Sequence, residues 1–111
     1  MRKLTEQEIK TLLAQNCIAE DWLQITVPDD FNPSRVCGVE FYGKVELGSM
    51  KGNIEVSAEF FKPCGIKNAT LRNVRIGDEC LIENVRNYIN NYEIGNGCLI
   101  SNVCAISISC I

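Results

Sequence analysis

The sequence predicts a mainly β chain: a parallel β-helix of hexapeptide coils behind a short N-terminal α-helical cap. Ile76-Gly77-Asp78-Glu79-Cys80-Leu81-Ile82-Glu83-Asn84-Val85 recurs eighteen residues later as Ile94-Gly95-Asn96-Gly97-Cys98-Leu99-Ile100-Ser101-Asn102-Val103, identical at seven of ten positions, with every mismatch at a polar site. Large residues fall on each sixth position, at Ile76, Ile82, Tyr88, Ile94, Ile100 and Ile106. A six-residue beat inside an eighteen-residue one describes a three-sided coil. Each flat face takes one hexapeptide, with an apolar residue pointing inward and a glycine or polar residue at the corner. The chain has 111 residues and is 46% hydrophobic, enough for one core.

Residues 1–35 read as a helical cap and loop. Thr5-Glu6-Gln7-Glu8 forms a capping box, in which the Thr5 hydroxyl and the Glu8 carboxylate each satisfy a free backbone N–H. Ile9, Leu12 and Leu13 follow at helical spacing, Cys17 extends the same face, and the helix should stop near Gln15-Asn16. Ala19 to Leu23 reads as a second short helical turn, anchored by an inward Trp22. Pro28-Asp29-Asp30 and Asn32-Pro33 are loop signals.

From Val36 the pattern becomes β, with residues 36–65 irregular and 66–111 in regular coils. Val39, Phe41, Val45 and Leu47 alternate with polar or small residues, and Leu47-Gly48 resembles an imperfect Ile-Gly corner. Ile54, Val56, Ala58 and Phe60 alternate with Glu55, Ser57 and Glu59 as one half-buried strand, which Phe61 to Gly65 ends. Leu71-Arg72-Asn73-Val74 rhymes with Ile82-Glu83-Asn84-Val85 and Ile100-Ser101-Asn102-Val103. The first two lie eleven residues apart, so one corner should be a residue short. Tyr88 and Tyr92 occupy two inward hexad positions, where they either widen that face or turn outward onto a partner. Cys104 to Ile111 alternates as a strand with no polar end. Repeat arrays need a capped end, so the coils are expected to continue beyond Ile111.

A formal charge of −3 without a block of like charge argues against nucleic acid. No stretch is long and apolar enough to cross a bilayer, and Met1-Arg2-Lys3-Leu4-Thr5-Glu6 turns polar at once, unlike a signal peptide. The expectation is a cytoplasmic protein without membrane partners. Cys80, Cys98, Cys104 and Cys110 are separated by multiples of six and read as small core fillers. Closely spaced cysteine pairs of the structural-zinc kind are missing from the sequence, so neither a metal nor a cofactor is expected. Stacked on successive coils about 4.8 Å apart, these cysteines leave a soft-metal site or an oxidised pair as minor alternatives.

The Ile-Gly-x-x-Cys-x-Ile-x-Asn pattern resembles the hexapeptide-repeat, left-handed parallel β-helix superfamily, whose members are typically trimers. Leu71 to Val85 is similar to the β-helix tail of sugar-nucleotide pyrophosphorylases, and the Ala-Glu-Asp-Trp segment looks like the start of a longer bacterial hexapeptide-repeat family of unassigned function. The resemblance covers roughly residues 66–106 and is faint over 36–65. It implies the left hand, since ordinary parallel crossovers are right-handed, and it implies a homotrimer. It also implies a transferase-like whole, with an acyl donor or sugar nucleotide as substrate of a longer form. Acyltransferases of that superfamily use a catalytic histidine, and this chain has none.

No catalytic residue is therefore assigned. Asp78, Glu79, Glu83 and Glu93 read as solvated turn residues. Arg75 and Arg86 follow Val74 and Val85 in matching units and are expected to stack, with Arg72 and Lys67 nearby. Paired arginines suit a phosphate or carboxylate, although pairing with Glu83, Asp78 or Glu79 is the favoured reading. Asn73, Asn84 and Asn102 share one repeat position and are expected to form a ladder. The function expected first is a non-catalytic oligomerisation module at the N-terminal portion of a longer transferase-like protein. The alternatives are an acyl- or nucleotidyltransferase with its catalytic residues outside this chain, and a sugar-phosphate binding module using Arg72, Arg75 and Arg86.

Overall fold

The computed structural model describes residues 1–85, 87–102 and 105–107, the last three through their backbone alone. The described chain is mainly β with one α-helix. Its elements run β1 (Arg2–Lys3), α1 (Glu6–Ala14), β2 (Ile18–Ala19), β3 (Ile25–Val27), β4 (Val36–Glu46), β5 (Asn53–Ser57), β6 (Phe60–Pro63), β7 (Gly65–Ile76), β8 (Leu81–Glu83), β9 (Tyr88–Ile94), β10 (Leu99–Ser101) and β11 (Ala105–Ser107).

The capping box forms as expected: Thr5 Oγ1 accepts from the Glu8 amide at 3.2 Å, and the Glu8 carboxylate accepts from the Thr5 amide at 2.9 Å. The helix ends at Gln15, where Asn16 turns left-handed at φ 65°. Leu12 and Cys17 are buried, but Leu13 is 51% exposed, so the inward stripe is narrower than its spacing suggests. The second turn is a 3-10 helix at Trp22–Gln24, capped by the Asp21 carboxylate. Trp22 packs on Phe41 with ring centroids 6.2 Å apart. The Gln15 amide donates to the carbonyls of Pro33 and Val36 at 2.8 and 2.7 Å, fastening the helix to the first residues of β4.

One mixed sheet of nine strands carries the core. β1 pairs antiparallel with β3, whereas β2, β3 and β7 pair parallel with β4. β7 is long enough to serve two successors, pairing with β8 through Gly65 to Lys67 and with β9 through Leu71 to Ile76. β10 then lies parallel on β8, and β11 on β9. The register stacks Val36, Ile66, Ile82 and Ile100 in one column and Phe41, Leu71 and Ile89 in another. Except for half-buried Ile100, these residues are buried.

Left-handed residues mark corners in three columns, some bending β4, β7 and β9 from within and others lying between strands. Gly38, Asn68, Asn84 and Asn102 have φ of 63, 53, 54 and 55°; Gly43, Asn73 and Asn91 have 62, 51 and 54°; Glu79 and Gly97 have 55 and 67°. Asparagine tolerates this region because its short side chain hydrogen-bonds locally. These columns correct the expected ladder: Asn73 belongs with Gly43 and Asn91, while Asn84 and Asn102 share their column with Asn68. The eleven residues from Asn73 to Asn84 are thus the step between two different turns, and Leu71 lies over Ile89 while Ile66 lies over Ile82.

Two other expectations fail. The single strand over Ile54 to Phe60 is a hairpin, β5 and β6 pairing antiparallel about a turn where Glu59 takes φ 60°. Side-chain alternation does not encode such a reversal, and it leaves Phe60 and Phe61 more than half exposed. The sixfold beat also slips at β9, where Ile89 is buried and Tyr88 is 41% exposed. Ile82 and Ile89 are seven residues apart in the sequence, one more than the beat allows, and it is the isoleucine that takes the inward place.

Candidate functional site

The outward side of β7 presents the arginines to which the sequence drew attention. Arg75 sits in register between Glu46 of β4 and Glu93 of β9. Its Nε donates to the Glu46 carboxylate at 2.6 Å, and Nη1 lies 3.9 Å from Glu93. The Glu46 hydrogen bond and both negative charges hold the Arg75 pKa above its ordinary value. An open groove of about 450 Å³ runs beside this trio, lined by Lys44, Asn73, Val74, Asn91 and Tyr92 as well. Two carboxylates around one guanidinium leave it little attraction for an added anion. The partners differ from those expected, which were Glu83, Asp78 or Glu79.

Arg72 occupies a separate place, in register with Tyr42 on one side and Asn90 on the other. Tyr42, Thr70, Asn87, Tyr88 and Asn90 line a groove of about 340 Å³ with it. The Tyr42 hydroxyl donates to Glu40 at 2.7 Å, and that hydrogen bond raises the phenol's pKa. Asn90 Oδ1 is buried without a hydrogen-bond partner among the described residues. The expected stack of Arg75 on Arg86 involves a residue outside the described ones, so Arg72 and Arg75 remain, and they face two different grooves.

Three of the carboxylates read as solvated turn residues hold hydrogen bonds, Asp78 while exposed, Glu79 half-buried, and only Glu83 buried. Asp78 Oδ1 accepts from the Ser49 amide at 2.8 Å. The Glu79 carboxylate accepts from the amides of Gly52 and Lys51 at 2.7 and 3.1 Å, and those two bonds lower its pKa. Glu83 is buried, with Lys62 Nζ at 3.0 Å and the Ser101 hydroxyl at 3.1 Å, and the Lys62 hydrogen bond lowers its pKa. The hairpin that delivers Lys62 was not legible in the alternation, so this pair escaped the sequence reading. Glu93 is exposed and, among the described residues, its charged partner is Arg75.

The cysteines divide by depth. Cys17, Cys64 and Cys80 are buried, and Cys37 and Cys98 are half-buried, all as free thiols. Cys104 and Cys110 lie outside the described residues. Cys64, Cys80 and Cys98 each stand one residue before a position of the Gly65, Leu81 and Leu99 column, so they stack on successive rungs. Burial pushes the Cys64 and Cys80 thiols up. Among the described residues, no group of three or more His, Cys, Asp or Glu side chains is placed to hold a metal ion.

No helix is long and apolar enough to cross a membrane among the described residues. A family model described as Domain of unknown function (DUF4954) matches residues 1–110. An uncharacterized protein of Treponema pallidum (strain Nichols) is 30% identical over 91 residues, which are 82% of this chain and 12% of that relative. The chain thus spans a small part of the length of the relative it matches. No solved structure matches it.

Proposed function

The chain belongs to the DUF4954 family, and from that premise we propose that it is a non-catalytic scaffold: a left-handed parallel β-helix module that assembles side by side as a homotrimer within a longer, transferase-like protein. The observation that carries this reading is the agreement between the parallel ladders and the three left-handed turn columns. β8 and β10 stay in register at an offset of eighteen, as do β7 and β9. Turns fall at residues 84, 91, 97 and 102, three steps to the coil. The left hand and the trimer rest on the resemblance to hexapeptide-repeat proteins. The 12% share of the Treponema relative supports a module that is one part of a larger whole.

The absence of catalysis rests on chemistry. The sequence holds no histidine to serve as general base. Of the carboxylates in the repeat, Asp78 and Glu79 accept from backbone amides, Glu83 pairs with Lys62, and Glu93 faces Arg75. Binding of an acyl donor or sugar nucleotide belongs in this reading to the longer form.

Multi-angle light scattering on the purified chain tests the assembly. A homotrimer has three times the monomer mass of 12.4 kDa. A folded species that stays at 12.4 kDa at high concentration removes the oligomerisation role.

A further inference from the structure

The cysteine column has a chemical use that the scaffold reading does not require. We propose that Cys80 and Cys98 form an oxidisable thiol pair whose disulfide fastens β8 to β10. The residues immediately after them, Leu81 and Leu99, are register partners, and the Leu81 amide donates to the Cys98 carbonyl at 2.9 Å. Neighbouring rungs lie about 4.8 Å apart, inside the Cα separation of about 4.4–6.8 Å that a disulfide spans, and the bond draws the two side chains together to a Cβ separation of about 3.5–4.5 Å. Both side chains point the same way. Cys80 Sγ lies 3.7 Å from the Asp78 carbonyl and Cys98 Sγ lies 3.9 Å from the Asn96 carbonyl, each two residues back.

The two thiols differ in access, and that difference assigns their roles. Cys98 is half-buried and meets an oxidant first, whereas Cys80 is fully buried, its thiol donating to the Gly95 carbonyl at 3.0 Å. With a hydroperoxide as oxidant, the Cys98 thiolate attacks one peroxide oxygen. The O–O bond breaks, and Cys98 becomes a sulfenic acid as the other oxygen leaves as water or an alcohol. Cys80 then attacks the Cys98 sulfur, the S–O bond breaks, and water leaves with the proton from Cys80. In sum, two thiols and one hydroperoxide give one disulfide, one water and one further water or alcohol. Cys64, on the preceding rung, is buried beside Glu79 and stays reduced.

The test is treatment of the folded full chain with hydrogen peroxide, alkylation of the remaining thiols under denaturation, and peptide mass mapping without reduction. The expected product links Cys80 to Cys98, leaves Cys64 alkylated, and raises Tm by roughly 5–15 °C, reversibly with dithiothreitol. Cys98→Ser should abolish the link, while Cys37→Ser, at a half-buried cysteine on another strand, should leave it intact. In Cys80→Ser, a dimedone adduct should appear on Cys98; if that variant does not fold, Cys98→Ser carries the test. Recovery of Cys80 as a free thiol from the oxidised folded protein, or a link from Cys98 to any other cysteine, overturns the proposal. The oligomeric state plays no part, so failure of the trimer leaves this result standing.

Discussion

At the scale of single residues, the N-terminus is held by a charge pair whose pH dependence has a definite sign. Arg2 reaches both carboxylate oxygens of Glu8 at 2.7 and 2.9 Å while Glu8 closes the helix cap. The Arg2 hydrogen bond, with those from Thr5, lowers the Glu8 pKa from 4.5 to about 2. A depressed folded-state pKa stabilises the fold fully above pH 4.5, and that contribution is lost as pH falls through about 2. Glu8→Gln should therefore flatten the acid limb of a stability–pH curve between those values. Arg2→Ala should lower the urea midpoint at pH 7, and that loss should shrink as pH falls towards 2. The left-handed asparagines carry a second prediction. Asn73→Gly keeps the backbone freedom and loses only the bond from the Lys44 amide, whereas Asn73→Ala adds about 1–2 kcal/mol of strain. At Gly43, beside Asn73 and at φ 62°, alanine should be costly, because it is strained in the left-handed region and its Cβ displaces the Asn73 amide oxygen from the Lys44 amide.

At the scale of elements, the hairpin of β5 and β6 acts as a cover over the outward side of β8. Lys62 of β6 pairs with the buried Glu83 of β8, and Ser101 of β10 completes the carboxylate's partners. Removing the lysine leaves a buried charge without its counter-ion, which costs more than the pair contributes. Lys62→Ala should destabilise by about 1–3 kcal/mol in denaturant unfolding. Adding Glu83→Leu should restore much of that loss, and a double mutant no better than the single one would separate the hairpin from Glu83. This element also marks where the sequence stopped being readable. The capping box was legible because four residues carry it locally, and the eighteen-residue repeat because β8 and β10 repeat their own contacts. The hairpin was not, since Ala58 and Glu59 reverse the chain without glycine, proline or asparagine. The asparagine columns were misread for a related reason: adjacent turns use the same residue type, so an Asn-Val rhyme does not say which turn it occupies. Arg75 was expected to pair with Glu83, Asp78 or Glu79, and Glu46 was missed because it lies 29 residues away and comes alongside only through the β4–β7 pairing.

At the scale of the whole molecule, parallel pairing concentrates polar groups at the turns and apolar groups between them. Each later turn then hydrogen-bonds to an earlier one. Asn73 accepts from Lys44, Asp78 from Ser49, and Asn96 from Asp78, at 3.1, 2.8 and 2.7 Å. Such stacking gives near-neighbour stability, in which each turn of chain depends on the one beside it. Under the proposed scaffold reading the stack would position other parts of a longer protein, and the arginine grooves lie on its surface. The charge pattern agrees with that use, since Arg75 is neutralised by carboxylates from both neighbouring strands. The central claim is that these ladders close into a left-handed, three-sided coil. A crystal structure of the chain measures that directly. The account predicts a left-handed winding with turns at Asn84, Asn91, Gly97 and Asn102, and Ile82 stacked under Ile100 inside the coil. A right-handed winding, or an open sheet whose two sides never meet around a shared core, would contradict it.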